Sequence, residues 1–308
     1  MRTTLNEKLK GVIVPAATPF DDSGQLRLDW FEHNLRRWNT TSVRGVMVLG
    51  TNGEFRSLND DESRSLIAAA AKTHGEKTLI VGVGRESTRL TLAFIDSVVE
   101  HVEAIDYVSV LPPHYFAKAM TPEVLREYYI EVADRSPIPI LLYIAPEYAN
   151  GVMIPPAVVA SLADHPNIAG IKDTSTDQLT SYLLSAGGRE DFSVLAGTMN
   201  TIMTGLLFGG PGGVVSAANY FPDECAHLVQ MSFDGHIGEA IDAYADLQRL
   251  IKLTGGRRGV ASLKACMNEL GYRAGVPRRP VRPLNNDEQR AVHAALVAAN
   301  KIQAVLRR

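Results

Sequence analysis

Short, almost wholly apolar runs alternate along this chain with segments whose apolar residues recur every three to four positions. The runs fall at residues 12–17, 45–49, 79–83, 107–111, 138–144, 168–171, 192–196 and 212–216, and each predicts a strand. Between them the helical period returns. Leu28, Phe31, Leu35 and Trp38 mark one inward face; Leu66, Ile67 and Ala70 mark another, opened by Asn59 with Glu62 three residues on, the pattern of a capping box. Thr121 followed by Pro122 starts a further helix, and others are predicted at 89–100, 155–162, 178–186 and about 200–208.

Strands without polar alternation are buried on both faces, and parallel strands need a crossover of this length to connect them. Eight such units are the number that closes a barrel. The pattern therefore predicts a TIM (β/α)8 barrel over residues 1–230. Three additional C-terminal helices, at 237–253, 260–270 and 287–306, fill 231–308 and pack on the barrel or a neighbouring subunit. Their joins, Gly- and Arg-rich at 255–259 and Pro-rich at 277–283, are too short to set off an independent domain.

Composition narrows the function classes. With 308 residues, 45% hydrophobic and 21% charged, the chain has ample material for a globular core. A formal net charge of -3 gives no basic field for nucleic acid or for an anionic membrane; Arg278, Arg279, Arg282, Arg307 and Arg308 read as a solvated surface. Cys225 and Cys266 form no C-x-x-C pair, which points to a reducing cytoplasm. Residues 1–10 are polar and of mixed charge, unlike a signal peptide, and no apolar run reaches the length of a membrane span. The eight histidines show no H-x-x-x-H or H-E-x-x-H spacing, and Gly82-x-Gly84 lacks the rest of a dinucleotide fingerprint, so neither a catalytic metal nor a cofactor is expected. The glycines at 209–213 precede a strand rather than follow one and read as a turn.

In a barrel of this kind the residues at the carboxyl ends of the strands share one mouth, and sites are found there. Here those residues are Thr18, then Thr51, Asn52 and Glu54, then Pro113, His114 and Tyr115, then Tyr143, then Lys172, Asp173 and Thr174, then Gly197 and Thr198, and last Ser216. Lys172 stands out, because it ends the apolar run at 168–171. Left in water at the strand end it is an ordinary ammonium. Buried, it gives up its proton and becomes a nucleophile toward ketones.

Three motifs carry a family resemblance. The turn Gly50-Thr51-Asn52-Gly53-Glu54-Phe55, the run Leu142-Tyr143-Ile144-Ala145-Pro146 and the run Gly170-Ile171-Lys172-Asp173-Thr174 resemble the signatures of the dihydrodipicolinate synthase and N-acetylneuraminate lyase family of Schiff-base aldolases. The resemblance spans essentially the whole chain. It is greatest to the 4-hydroxy-2-oxoglutarate aldolases, through the G-T-N-G-E-F turn, Ser136-Pro137-Ile138-Pro139 and His165-Pro166-Asn167-Ile168.

The resemblance implies a lyase in which Lys172 forms an imine with a 2-oxo acid, Tyr143 transfers protons, and Thr51 relays them to a second tyrosine, matched by Tyr115 and supplied by the adjoining subunit. A register slip of one residue would put His114 there instead. It further implies substrate contacts at Asn52, Gly53, Thr174, Gly197 and Val215, a homodimer or homotetramer, and a small-molecule 2-oxo acid substrate, with neither nucleic acid nor membrane as partner. One departure bears on substrate. The synthases carry an arginine shortly after the Tyr-x-x-Pro run to grip a second carboxylate, and residues 147–151 here read E-Y-A-N-G. That favours an aldolase over the synthase, with Thr174, Asn52 and Lys118 left to hold any second carboxylate. N-acetylneuraminate lyase, an aldolase or dehydratase of 2-oxo-3-deoxy sugar acids, and a non-catalytic 2-oxo acid sensor are the alternatives on the same scaffold.

Overall fold

The computed structural model describes residues 6–101, 103–186, 188–254 and 258–301. Met1 to Leu5, Gly255 and Gly256 of the Gly- and Arg-rich join, Leu306, Arg307 and Arg308 lie outside the described residues. Eight strands pair in parallel and in chain order, and the last closes on the first. They are β1 (Gly11–Pro15), β2 (Gly45–Val48), β3 (Thr78–Gly82), β4 (Tyr107–Val110), β5 (Ile140–Ile144), β6 (Ile168–Asp173), β7 (Ser193–Ala196) and β8 (Gly212–Val214). The strand after each crossover finds its predecessor because α1 (Leu28–Asn39), α2 (Asp60–Thr73), α3 (Thr88–Asp96), α4 (Pro122–Arg135), α5 (Pro156–Leu162), α6 (Leu179–Ala186) and α7 (Met199–Leu207) lie between them on the outside.

Burial explains why the strands read as unbroken apolar runs. One face of each strand points into a single interior layer, to which every strand contributes one side chain, from Ile13 on β1 to Val214 on β8. The other face packs under the helices, with Val12, Val14, Val46 and Val48 against Phe31, Leu35 and Trp38 of α1 and Leu66 and Ile67 of α2. The caps act as their residue types require. Asn59 and Glu62 close the capping box of α2, and the Thr121 hydroxyl accepts from the Val124 N–H at the start of α4.

Several boundaries differ from the sequence expectation. β6 runs two residues further, to Asp173, because Lys172 and Asp173 keep pairing with Tyr143 and Ile144 on β5 and with Leu195 and Ala196 on β7. β8 stops at Val214, and residues Ser216–Asn219 form a 3-10 turn instead of extending it. The Asn219 side chain holds that turn to the end of β1, accepting from the Ala17 N–H at 3.0 Å and donating to the Pro15 carbonyl at 2.9 Å. A helix not singled out from the sequence, α8 (Pro222–Phe233), completes the eighth unit and crosses the boundary drawn at residue 230. Beyond it come α9 (Ile237–Thr254), α10 (Val260–Glu269) and α11 (Asn286–Ala298), the last ending at Ala298, with residues 302–306 of the expected 287–306 outside the described residues. Among the described residues no helix is long and apolar enough to cross a membrane, and no group of His, Cys, Asp or Glu could hold a metal ion.

Candidate active site

Strict alternation along β6 would send Lys172 outward with Ile168, because successive strand residues point to opposite faces. It does not go there. Pairing between β5 and β6 shifts by one residue after Ile140, so Ile168 faces Ile140 while Gly170 already faces Leu141. Ala169 is the extra residue and joins the interior layer, Ile171 turns outward to the helices, and Lys172 swings inward beside Tyr143. Such a bulge re-aims the side chains that follow it. Gly170 lets the strands stay close there, since a Cβ would lie 2.3 Å from the Ser193 carbonyl oxygen on β7.

Lys172 is buried, with Nζ 4.1 Å from the centre of the Tyr143 ring and 3.8 Å from the Met47 sulfur. Among the described residues it has no carboxylate partner, and burial alone lowers its pKa from 10.5 to about 7. The adjoining Asp173 points to the opposite face, where Ser175 donates to it through N–H and hydroxyl at 2.9 and 2.8 Å. Burial outweighs those bonds and raises Asp173 to about 6.

The Tyr143 hydroxyl lies 3.0 Å from the Thr51 hydroxyl, joining the end of β5 to the turn after β2. Burial raises the Tyr143 pKa, against the pull of that hydrogen bond, so the group is a neutral phenol at ordinary pH. The turn itself is closed by Gly53 and Glu54 N–H groups donating to the Gly50 and Thr51 carbonyls at 3.1 and 3.0 Å. The Gly53 N–H is therefore spent inside the turn. Its carbonyl accepts from the buried Thr18 hydroxyl at 2.6 Å, and a Cβ there would meet the Ala16 and Gly50 carbonyls. Thr51 and Asn52 head the turn, and the Asn52 amide donates to the Ser216 hydroxyl at 2.7 Å across the mouth.

Thr51, Asn52, Tyr143, Lys172, Thr174 and Gly197 surround one cavity of about 130 Å³. Thr174 is fixed by its hydroxyl donating to the Ile144 carbonyl at 2.7 Å. Gly197 is required beside it, because a Cβ would stand 2.4 Å from the Thr174 methyl and 2.6 Å from the Asp173 carbonyl oxygen. Val215 belongs to the outer core under the helices and its side chain is not part of this wall; Val214 and Ser216, its neighbours, are. The reason is parity, since β8 points Val214 inward.

Tyr115 stays apart from Thr51 within one chain. It is 76% exposed, edge-on to Phe116 at 71% exposed, on a loop whose His114 and Tyr115 N–H groups both donate to the Glu86 carboxylate at 2.9 and 2.8 Å. His114 instead lines an outer chamber of the mouth. Glu147 and Tyr148 both border the inner cavity, whereas Lys118 is exposed and outside either wall.

One arrangement was not anticipated. Glu54, at positive φ of 51 in the same turn, forms a buried ion pair with Lys264 of α10 at 2.6 Å and accepts from the Arg278 N–H at 2.9 Å. Lys264 also donates to the Val276 carbonyl at 2.9 Å. The Phe20 ring lies against both cations, 4.5 Å from the Lys264 ammonium and 4.2 Å from the Arg278 guanidinium. The C-terminal helices are thereby fastened to the turn that carries Thr51. A lysine set among the buried residues Ala261, Leu263 and Met267 of one helix was the available signal.

Comparison with known proteins adds the relatives. The sequence profile of the dihydrodipicolinate synthetase family matches residues 8–299. A putative mitochondrial 4-hydroxy-2-oxoglutarate aldolase of Coccidioides immitis is 30% identical, covering 96% of this chain and 97% of its own length. A 4-hydroxy-tetrahydrodipicolinate synthase of an Exiguobacterium species is 27% identical over 95% of this chain and 99% of its own. The crystal structure of dihydrodipicolinate synthase from Thermotoga maritima superposes with a TM-score of 0.86 at 27% identity, covering 95% of this chain and 99% of that one.

Proposed function

Because the chain belongs to the dihydrodipicolinate synthetase family, we propose that it is a class I lyase that cleaves a 4-hydroxy-2-oxo acid through an imine at Lys172. The observation that carries this reading is a buried lysine without a counter-ion among the described residues, set against a tyrosine already hydrogen-bonded to Thr51. Neutral Nζ adds to the C2 ketone, water leaves to give the imine, and a proton taken up from solvent makes it the iminium. Tyr143 takes the proton of the C4 hydroxyl while passing its own to Thr51, which hands its hydroxyl proton on to solvent; the C3–C4 bond breaks, its electron pair moves through C3 to the iminium nitrogen, and the same relay run backwards supplies the proton that C3 later takes. The aldehyde departs, the enamine takes a proton at C3, and water releases pyruvate from Lys172. Since a standing phenolate is disfavoured at Tyr143, its shuttle needs the Thr51 hydroxyl as the second station.

Thr51 and Asn52 at the head of the turn suit the carboxylate of the 2-oxo acid. The relatives' names divide between an aldolase and a synthase; the missing arginine at residues 147–151 supports the aldolase. Exposure of Tyr115 and Phe116 supports a homodimer or larger homo-oligomer in which a second copy supplies Tyr115 to the relay. Two buried free thiols, Cys225 and Cys266, support a cytoplasmic setting.

Borohydride reduction with pyruvate, followed by peptide mass spectrometry, tests the mechanism. An adduct on Lys172, absent from Lys172→Ala, is the expected result. Enzyme that turns over 4-hydroxy-2-oxo acids without forming that adduct would overturn it.

A further inference from the structure

The space above Lys172 does not end at a pyruvate-sized pocket. Thr51, Asn52, Tyr148, Gly197, Thr198 and Ser216 are shared with an outer chamber of about 680 Å³, roofed by the C-terminal helices. The rest of that chamber is largely hydrocarbon and aromatic: Phe55, Met199 of α7, Tyr220, Ile251 of α9, Leu263 of α10 and Val281. Part of its polar lining is engaged within the protein. Gln248 donates to Asn200 at 3.0 Å and to the Tyr244 hydroxyl at 2.9 Å, closing a small network of its own.

The cations are occupied too. Arg56 donates to Glu86 at 2.9 Å with its guanidinium 4.8 Å from the Phe55 ring centre, and Arg258 is paired with Glu288. Glu54, also on the wall, is closed against Lys264. Glu147, a carboxylate, borders the inner cavity. A second anionic group on the substrate would have to compete for cations already paired with carboxylates.

Resting on the imine reading of Lys172, we propose that the half of the substrate released as aldehyde is uncharged and predominantly apolar, alkyl or aryl, and seats in this chamber against α7, α9 and α10. Size permits it, since a dry cavity of about 150 Å³ suffices for a benzene ring. In the reverse direction the enamine C3 would bond to the aldehyde carbon, the aldehyde oxygen would take the proton from Tyr143, and water would release the product.

The test is a panel of acceptors with full-length enzyme and saturating pyruvate: benzaldehyde and hexanal as apolar probes, glyoxylate as the anion, glyceraldehyde as the polyol. The apolar aldehydes should exceed the other two at least tenfold in kcat/KM. Val281→Lys, at a partly exposed edge that tolerates charge, and Ile251→Lys should raise KM for benzaldehyde severalfold and improve glyoxylate. Glyoxylate or glyceraldehyde as the fastest acceptor would overturn the chamber assignment, as would an unchanged aldehyde ranking in both folded variants. Pyruvate trapping run in parallel separates the two readings. A normal Lys172 adduct with no apolar preference sinks only the chamber, whereas no adduct sinks both.

Discussion

Two lysines are buried among the described residues, and they stand in opposite surroundings. Lys264 on α10 meets a carboxylate at 2.6 Å and a carbonyl at 2.9 Å; Lys172 on β6 meets an aromatic face and a sulfur, with no carboxylate partner among the described residues. Burial lowers both, Lys264 to about 8 although Glu54 pulls it upward, and Lys172 to about 7 with nothing to oppose it. The lesson is that burial by itself does not make a reactive amine. A partner converts the same side chain into a clasp, and its absence leaves a lone pair available for chemistry.

The sharpest way to test the contrast is to remove each amine. Lys172→Met should abolish turnover and the pyruvate adduct while leaving a folded barrel, as measured by trapping and circular dichroism. Lys264→Met should keep the adduct but destabilise the fold by about 3–5 kcal/mol, because Glu54 is left charged and buried. In Glu54→Gln/Lys264→Met most of that stability should return, yet KM for the 2-oxo acid should stay raised, since the turn bearing Thr51 has lost its fastening. A Lys264→Met variant as stable as the parent would show that the pair does not act as a clasp.

Tyr143→Phe follows in size. It should lower kcat by about 10²–10⁴-fold, the range of a positioned proton-transfer group, and leave pyruvate imine formation measurable. A rate within twofold of the parent would remove Tyr143 from the relay.

The pH dependence is subtler and separates the lysines again. Imine formation with pyruvate should rise as pH passes through about 7, where Lys172 loses its proton. Stability moves with the same group. Below about 7 Lys172 is protonated folded and unfolded, so folding bears the full cost of burying the charge; above 10.5 it is neutral in both states and the cost is gone. Lys172→Met should therefore raise Tm most at low pH, with the gain fading as pH climbs between those values. A gain that grows with pH would contradict the buried, uncompensated state.

The smallest effect is steric. Gly197→Ala puts a methyl 2.4 Å from Thr174 and should cost about 1–3 kcal/mol in stability together with a higher KM. Differential scanning calorimetry and steady-state kinetics read both, and an unperturbed variant would mean that Thr174 can yield.

What the chain determined by itself was the order of its parts. Eight doubly apolar runs with helical stretches between them specify parallel strands and crossovers, and the motif residues fall at strand ends whatever the packing details. Asn59, Glu62 and Thr121 declared their caps because capping is a local interaction. Direction was another matter. Whether Lys172 faced the mouth or the helices depended on one extra residue at Ala169, and a bulge is fixed by how two strands seat against each other, not by either strand's own pattern. The same holds for Val214 in place of Val215, for the Gly53 N–H spent inside its turn, and for Glu54 finding Lys264 far along the chain. Contacts between distant segments are made only once the barrel has closed, so their partners are set by three-dimensional proximity that no window of sequence contains.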